Sequence, residues 1–437
     1  MSKEQNFKLT RYSCFFAYIS TSSIFGLPPL LFMTFREMYG ISFTLLGTLV
    51  LVNFLTQMAI DLIFTFFSKH FNIRKTIITM PILTSLGLII YALIPALFPD
   101  HAYIGLLIGT FVFSVSAGLG EVLLSPLMAA IPSDNPERDM SILHSLYAYG
   151  LLSVILISTV FFYIFGAHNW VYLTLFFAVW PLITATLFIM SPIPKMNLSN
   201  PESKGKKQGR GFVLAILFLC IFLGAAAEIS MTNWISGYME SALSISKTTG
   251  DILGMASFAI LLGIGRTMYA KYGKNIHRSL LLGMAGASVC YILCAISPNV
   301  IVSVIACMMT GLFTSMLWPG TLILMEEKMP NPGVAAYALM ATGGDAGGSL
   351  APQLLGIIID KVSVSNWAGE LSHVLNIGVE QIGMKTGMIM ASVFPILGVI
   401  VLVYMKKYFK ERNYETFQQN SYSAHCSCNA RYLRWCS

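Results

Sequence analysis

The chain has little charge. Of its 437 residues only 11% are Asp, Glu, Lys or Arg, against roughly 25% in a soluble domain. Hydrophobic residues make up 56% and the mean hydropathy is +0.71. That balance excludes an ordinary water-soluble domain and points to a chain dissolved in lipid. Signatures of catalysis are also missing: there is no phosphate-binding Gly-rich loop ending in Gly-Lys-Ser/Thr, no Gly-x-Ser-x-Gly elbow and no His-Glu-x-x-His pair. No enzyme and no cofactor is expected, and any work across a membrane has to be driven by an ion or solute gradient, with the proton as the expected ion.

Cysteine is present but forms no framework. Cys14, Cys220, Cys290, Cys294 and Cys307 sit inside apolar runs, where the thiol is a small packing group. Cys426, Cys428 and Cys436 lie with His425 in the tail "SYSAHCSCNARYLRWCS", which has no second ligand pair at zinc-module spacing, so no metal is expected there.

Long hydrophobic runs dominate what is there. About 20 residues cross roughly 30 Å of hydrocarbon, and twelve runs qualify: 12–34, 42–67, 76–98, 102–131, 141–165, 170–190, 211–239, 251–270, 279–297, 299–325, 334–359 and 386–405. Lys69, Arg74, Lys75, the group Lys195 to Arg210, then Lys271, Lys274, Arg278 and Lys406 to Arg412 all fall on one side if the helices alternate. Cytoplasmic loops retain positive charge, which puts both termini in the cytoplasm of a multi-pass plasma-membrane protein. The net charge of +7 is accounted for by that asymmetry, with no nucleic-acid partner.

The most polar stretch, "SPIPKMNLSNPESKGKKQGR" (191–210), lies near the midpoint. It reads as a cytoplasmic linker between two six-helix bundles, 1–190 and 211–412, followed by a cytoplasmic tail (413–437) expected to be disordered. The halves echo each other. "GLGEVLLSPLMAAIP" from Gly118 and "GLFTSMLWPGTLILM" from Gly311 share Gly118, Leu119, Leu124 and Pro126 with Gly311, Leu312, Leu317 and Pro319 without a gap, in the fourth span of each half. The loop "FSKHFNIRK" (67–75) pairs in the same way with "YAKYGKNIHR" (269–278). The expected fold is therefore all-α and integral to the membrane, twelve transmembrane helices in two pseudo-symmetric six-helix bundles.

On these residues the chain resembles the major facilitator superfamily and, within it, the fucose-permease-like group of sugar/proton symporters. The motifs are Gly118, Gly120, Glu121, Ser125 and Pro126 in span four, "LHSLYAYG" (143–150) opening span five, "EISMTNWISGY" (228–238) in span seven, "GIGR" (263–266) in span eight and "MLWPGT" (316–321) in span ten. The resemblance implies alternating access around a central site and a gate at the loop after span two. In that loop Lys69 stands where the superfamily carries an Asp, while Arg74 and Lys75 are kept; span one has no acid.

Ionisable groups within spans are costly and mark function by default. Here they are Asp61, Glu121, His144, Glu228, Arg266 and Asp345. Glu121 shares a helical face with Ser114, Gly118 and Ser125, and the equivalent face of the second half carries Cys307, Gly311, Thr314 and Trp318. An acid on one wall and an aromatic on the other suits a polyol, which offers hydroxyls to one and C–H faces to the other. Because drying a site disfavours a charged carboxylate, Glu121, Glu228 and Asp61 are the expected proton-coupling groups. Ser114, Ser125, His144, Tyr147, Asn233, Trp234, Tyr238, Thr314, Trp318 and Asp345 are the expected substrate-cavity residues. Arg266, Lys69 and Arg74 are the expected gating residues, with Asp61 pairing to Arg266 or Arg138. Gly343 with Gly347, and Gly344 with Gly348, set up close helix approach in span eleven.

The expected activity is secondary active transport, proton-coupled uptake of a sugar or sugar-like solute by a monomer in a lipid bilayer. Two alternatives stand beside it: a proton-antiport exporter of apolar or cationic compounds, and a non-transporting sensor or enzyme on the same fold.

Overall fold

In a computed structural model the chain is described at residues 7–67, 70–134, 136–194, 196, 210–329 and 334–432. Lys69 and most of the linker lie outside the described residues, as do the side chains of Arg138, of His144 and of everything beyond Phe409. The described residues contain helices and no strand, as a bilayer demands when no water can satisfy an open backbone.

The first half is α1 (Lys8–Tyr39), α2 (Phe43–Phe67), α3 (Ile73–Leu97), α4 (Ala102–Ala129), α5 (Pro136–Phe165) and α6 (Trp170–Met190). The second opens with α7 (Arg210–Gly237), which continues through a π-helical turn, Tyr238–Ala242. Its second span is α8 (Lys247–Gly250), a π-helical segment Asp251–Ala256 and α9 (Ser257–Tyr272) in continuous succession, followed by α10 (Ile276–Ile296). Then come α11 (Val300–Thr314) and α12 (Leu317–Lys328), one span broken near its middle, α13 (Val334–Ser363), α14 (Asn366–Leu375) and α15 (Val379–Tyr432). Among the described residues, eleven stretches are long and apolar enough to cross a membrane; α13, at 30 residues and rich in glycine, is the twelfth by length.

Three details depart from the sequence reading. Span ten is two helices rather than one. A short helix, α14, fills part of the connection between the last two spans, capped by the Ser365 side chain accepting from the Ala368 N–H at 3.3 Å. The backbone of the tail expected to be disordered is helical as far as Tyr432; no Pro or Gly follows Gly398 to stop it.

The two echoes have physical counterparts. Asn72 accepts from the Lys75 N–H at 3.1 Å and Asn275 from the Arg278 N–H at 2.9 Å, so the repeated loop encodes the N-cap of the third span in each half. Gly118 brings α4 against α2, where an added Cβ would lie 2.9 Å from Ile60 Cβ; Gly311 brings α11 against α9, where it would lie 2.3 Å from the Phe258 carbonyl oxygen. The packing repeats accordingly: α1 meets α6 and α3 meets α6 in one half, α7 meets α15 and α10 meets α15 in the other.

The halves meet in a seam near Gly40, the residue that ends α1 in the left-handed region at φ 63°. Here α2 lies along α13 so closely that a Cβ on Gly356 would sit 2.3 Å from the Phe43 carbonyl oxygen. Trp234 packs between Phe32 and Phe43, with ring centroids 5.7 and 5.8 Å away, and its Nε1–H donates to the Pro352 carbonyl at 3.1 Å. Asp360 of the second half caps α2 of the first, accepting from the Phe43 N–H at 3.1 Å and the Thr44 N–H at 2.6 Å, where a helix N-terminus favours negative charge. Arg36 pairs with Glu380, and Lys247, which donates to the Leu30 carbonyl, is 3.5 Å from the buried Asp251.

Among the described residues, the hydrogen bonds and ion pairs joining the halves cluster at this end. Toward the opposite end, contacts within a half include Arg11 with Asp139 at 3.1 Å, Arg74 donating to the Ile189 and Ser191 carbonyls at 3.1 and 3.2 Å, and Tyr337 donating to Glu326.

Candidate functional site

Below the seam, α2 carries a polar stripe one turn apart: Asn53, Gln57 and Asp61. Gln57 Nε2 donates to Asn53 Oδ1 at 3.0 Å, and Ser114 Oγ of α4 lies 2.7 Å from the same oxygen, so the upper part of the stripe is a satisfied amide–hydroxyl chain. Its lower end is different. Asp61, Glu121 and Asp345 bring one carboxylate oxygen each to within 4.8 Å of one another, two from the first half and one from the second. Asp61 and Asp345 are 3% and 1% exposed. Glu121 is exposed although it sits mid-helix; because its carboxylate neighbours Asp345 of the other half, it faces the space between the halves.

Arg266 does not pair with Asp61, as the sequence reading had allowed. Its NH2 group donates to Glu228 Oε1 at 3.1 Å and its Nε to the Ser315 carbonyl at 3.0 Å. The reason is local. Pro319 has no N–H to offer the carbonyl four residues back, which is that of Ser315, so the break between α11 and α12 leaves an acceptor free and the guanidinium fills it. Glu228 therefore reaches the space between the halves already neutralised, while Asp61, Glu121 and Asp345 have no ion pair among the described residues.

The other expected site residues separate into two groups. Near the acids, Ser125 is within 3.2 Å of the Tyr18 hydroxyl, Tyr147 packs edge-on against Phe25 at 5.8 Å, and the Trp318 ring lies on Gly344, where an added Cβ would be 2.2 Å from it. That packs Trp318 on α13 at the residue preceding Asp345. Away from them, Tyr238 is fully buried and donates to the Cys294 carbonyl, and Trp234 belongs to the seam. Thr314 is buried with its hydroxyl donating to the Thr310 carbonyl at 2.9 Å, and Asn233 donates to the Ile229 carbonyl at 2.9 Å. Arg74 caps the end of α6 rather than meeting an acid. Lys69 and the His144 side chain lie outside the described residues.

Sequence reasoning missed Tyr18, whose apolar context gave it no distinction, and it missed the cross-half cap at Asp360, a residue lying in an unremarkable "IIIDKV".

Two bundles of repeated packing, sealed at one end and flanking a group of membrane-depth carboxylates, define a multi-pass membrane transporter. The family model of the Major Facilitator Superfamily matches residues 13–352, and the chain belongs to that family. No curated protein sequence matches it. Among solved structures it is similar to a bacterial homolog of the human lysosomal transporter Spinster in an inward-facing, unoccupied conformation, at 12% identity over 93% of this chain and 98% of that one, with a TM-score of 0.72. It is also similar to a D-xylose-proton symporter, 13% identical over 89% and 96% of the two chains, TM-score 0.68. The E. coli fucose:proton symporter FucP is 12% identical over 92% and 99%, TM-score 0.56. At these identities the likeness is one of fold.

Proposed function

We propose that the protein takes up a sugar or sugar-like solute together with protons across the cytoplasmic membrane by alternating access. The observation that supports this most directly is the placement of Glu121: an acid at membrane depth, open to the space between the halves, beside two buried carboxylates from both of them. A carboxylate in such a position exchanges protons as the space is wetted and dried, and its charge state bears on how close the halves can come. Around it lie groups suited to hydroxyl-rich solutes: Ser125 and Tyr18, Asn53 and Gln57, with Tyr147 and Trp318 as ring surfaces. Two of the structural neighbours are, by their names, sugar:proton symporters, which adds support.

With the Lys- and Arg-rich loops in the cytoplasm, both termini are cytoplasmic, the Gly40 end is outside, and the described conformation opens inward. Arg266 and Glu228 then lie on the wall of the inward opening, where the pair holds α9, α7 and the α11–α12 break together as one body during rocking.

A panel of sugars and polyols added to purified protein tests the solute class. A ligand at 100 times its Kd stabilises the state it binds by about 2.7 kcal/mol, so a genuine solute raises the unfolding temperature by a few degrees and saturates. If apolar cations stabilise and no sugar does, the uptake reading fails and export takes its place.

A further inference from the structure

The carboxylates of Asp61, Glu121 and Asp345 come from three helices, α2, α4 and α13, and from both halves of the chain. One oxygen of each lies within 4.8 Å of the other two. Asp61 is 97% buried by its exposure of 3%, and neither of its oxygens has a hydrogen-bond partner; Oδ2 of the still more buried Asp345 has none either. A buried carboxylate with both oxygens unsatisfied is rare because burial without compensation is costly. Among the described residues no basic side chain supplies that compensation: Arg266, the cation on the nearby wall, is held by Glu228 and the Ser315 carbonyl.

The donors are all carboxylate oxygens, with no imidazole or thiolate among the three, which selects hard cations over soft or borderline ones. Size narrows the choice further. Three oxygens within 4.8 Å of one another can meet an ion at 2.3–2.6 Å, where opposite ligands stand about 4.6–5.2 Å apart, whereas the smaller Mg2+ gives up its water reluctantly and is seldom held by protein groups alone. We propose that Asp61, Glu121 and Asp345 bind a hard inorganic cation of the radius of Na+ or Ca2+, held between the two halves and in competition with protons. Glu121, the open member, is the entry side; Asp61 and Asp345 form the closed floor. Since the ligands come from both halves, the bound cation holds together the conformation in which they meet. The coupling role of this site rests on the transporter reading, while the binding itself does not.

Thermal unfolding of the purified full-length protein at fixed pH and fixed ionic strength tests it, with choline chloride replaced stepwise by NaCl, KCl or CaCl2 and no solute present. Na+ or Ca2+ raises the unfolding temperature by a few degrees and saturates, K+ and choline do not, and the larger of the two shifts identifies the cation. Asp61→Asn and Asp345→Asn, which remove like-charge repulsion and so fold at least as well as the parent, lose at least tenfold in apparent cation affinity. Glu370→Gln, a change at an exposed acid of α14, keeps the shift. The proposal is overturned if no cation acts, if K+ and choline act as Na+ and Ca2+ do, or if the Asn variants respond like the parent; protons alone then occupy the cluster. A cation shift without any sugar stabilisation would leave this site standing and remove the solute reading instead.

Discussion

Glu121→Gln abolishes proton-driven accumulation and spares exchange. In proteoliposomes with the interior one pH unit more alkaline, one proton per solute supports about tenfold accumulation, since a unit of pH is worth 1.36 kcal/mol. The glutamine variant brings the internal solute only to the external concentration. Gln keeps the size of the side chain and the hydrogen-bonding pattern of a protonated carboxyl, but it cannot release a proton. Solute-for-solute exchange, which needs no net proton movement, therefore continues within roughly threefold of the parent rate. The position of Glu121 makes the expectation specific: it is the exposed member of its cluster, the one through which water and protons reach Asp61 and Asp345. Gradient-driven accumulation by Glu121→Gln at the parent level would remove it from the coupling pathway.

Gly356→Val opens the seam. The Phe43 carbonyl lies 2.3 Å from where a Cβ would stand, and the contact is backbone of one half against backbone of the other, so no flexible side chain can move aside. Overpacking of this kind costs about 1–3 kcal/mol, a shift of roughly fivefold to more than a hundredfold in the equilibrium between sealed and unsealed conformations, with an unyielding backbone contact at the upper end. The same substitution would also strain the cap that Asp360 places on α2. The readout is labelling of Gln353→Cys, a seam position, by a membrane-impermeant thiol reagent applied from the Gly40 side: slow in the parent background, at least tenfold faster when Gly356→Val is added. Gly263→Ala, where an added Cβ meets nothing within 4 Å, leaves the rate unchanged. Equal rates in all three would mean that the seam does not limit access.

Much of the fold was legible in the sequence because it is written in local terms. Span count follows from hydropathy, and the duplication from Gly118 and Gly311, whose common role is to let one helix touch another's backbone. The echo at Asn72 and Asn275 was visible as a repeat before its cause, an N-cap, could be seen. The break in span ten left only Pro319 as a mark, and a proline within a span can kink a helix or split it.

The site was legible in membership and not in arrangement. Asp61, Glu121 and Asp345 were each found by their cost in lipid, whereas the buried Asp251 at the start of its span was passed over, and nothing in the spacing joins Asp61 to Asp345 across 284 positions, because the contact depends on how the two bundles dock. Asp345 was accordingly grouped with the solute-binding residues and not with the acids it neighbours. Helical periodicity also cannot say which of two polar or aromatic faces meets the cavity. Trp234 and Tyr238, one turn apart, were read as cavity walls; one seals the seam and the other is buried inside the second half. Arg266 was expected to need a partner from outside its own span, and it has one, but Glu228 and the carbonyl freed at Pro319 take the role that Asp61 was given.

Uptake of radiolabelled solute by the parent protein in proteoliposomes, using the sugar that stabilises it best and imposing an inside-alkaline gradient, tests the central claim most directly. Accumulation above the external concentration that collapses when a protonophore dissipates the gradient is the predicted result. Entry that only equilibrates, at the same rate with and without the gradient, would contradict it.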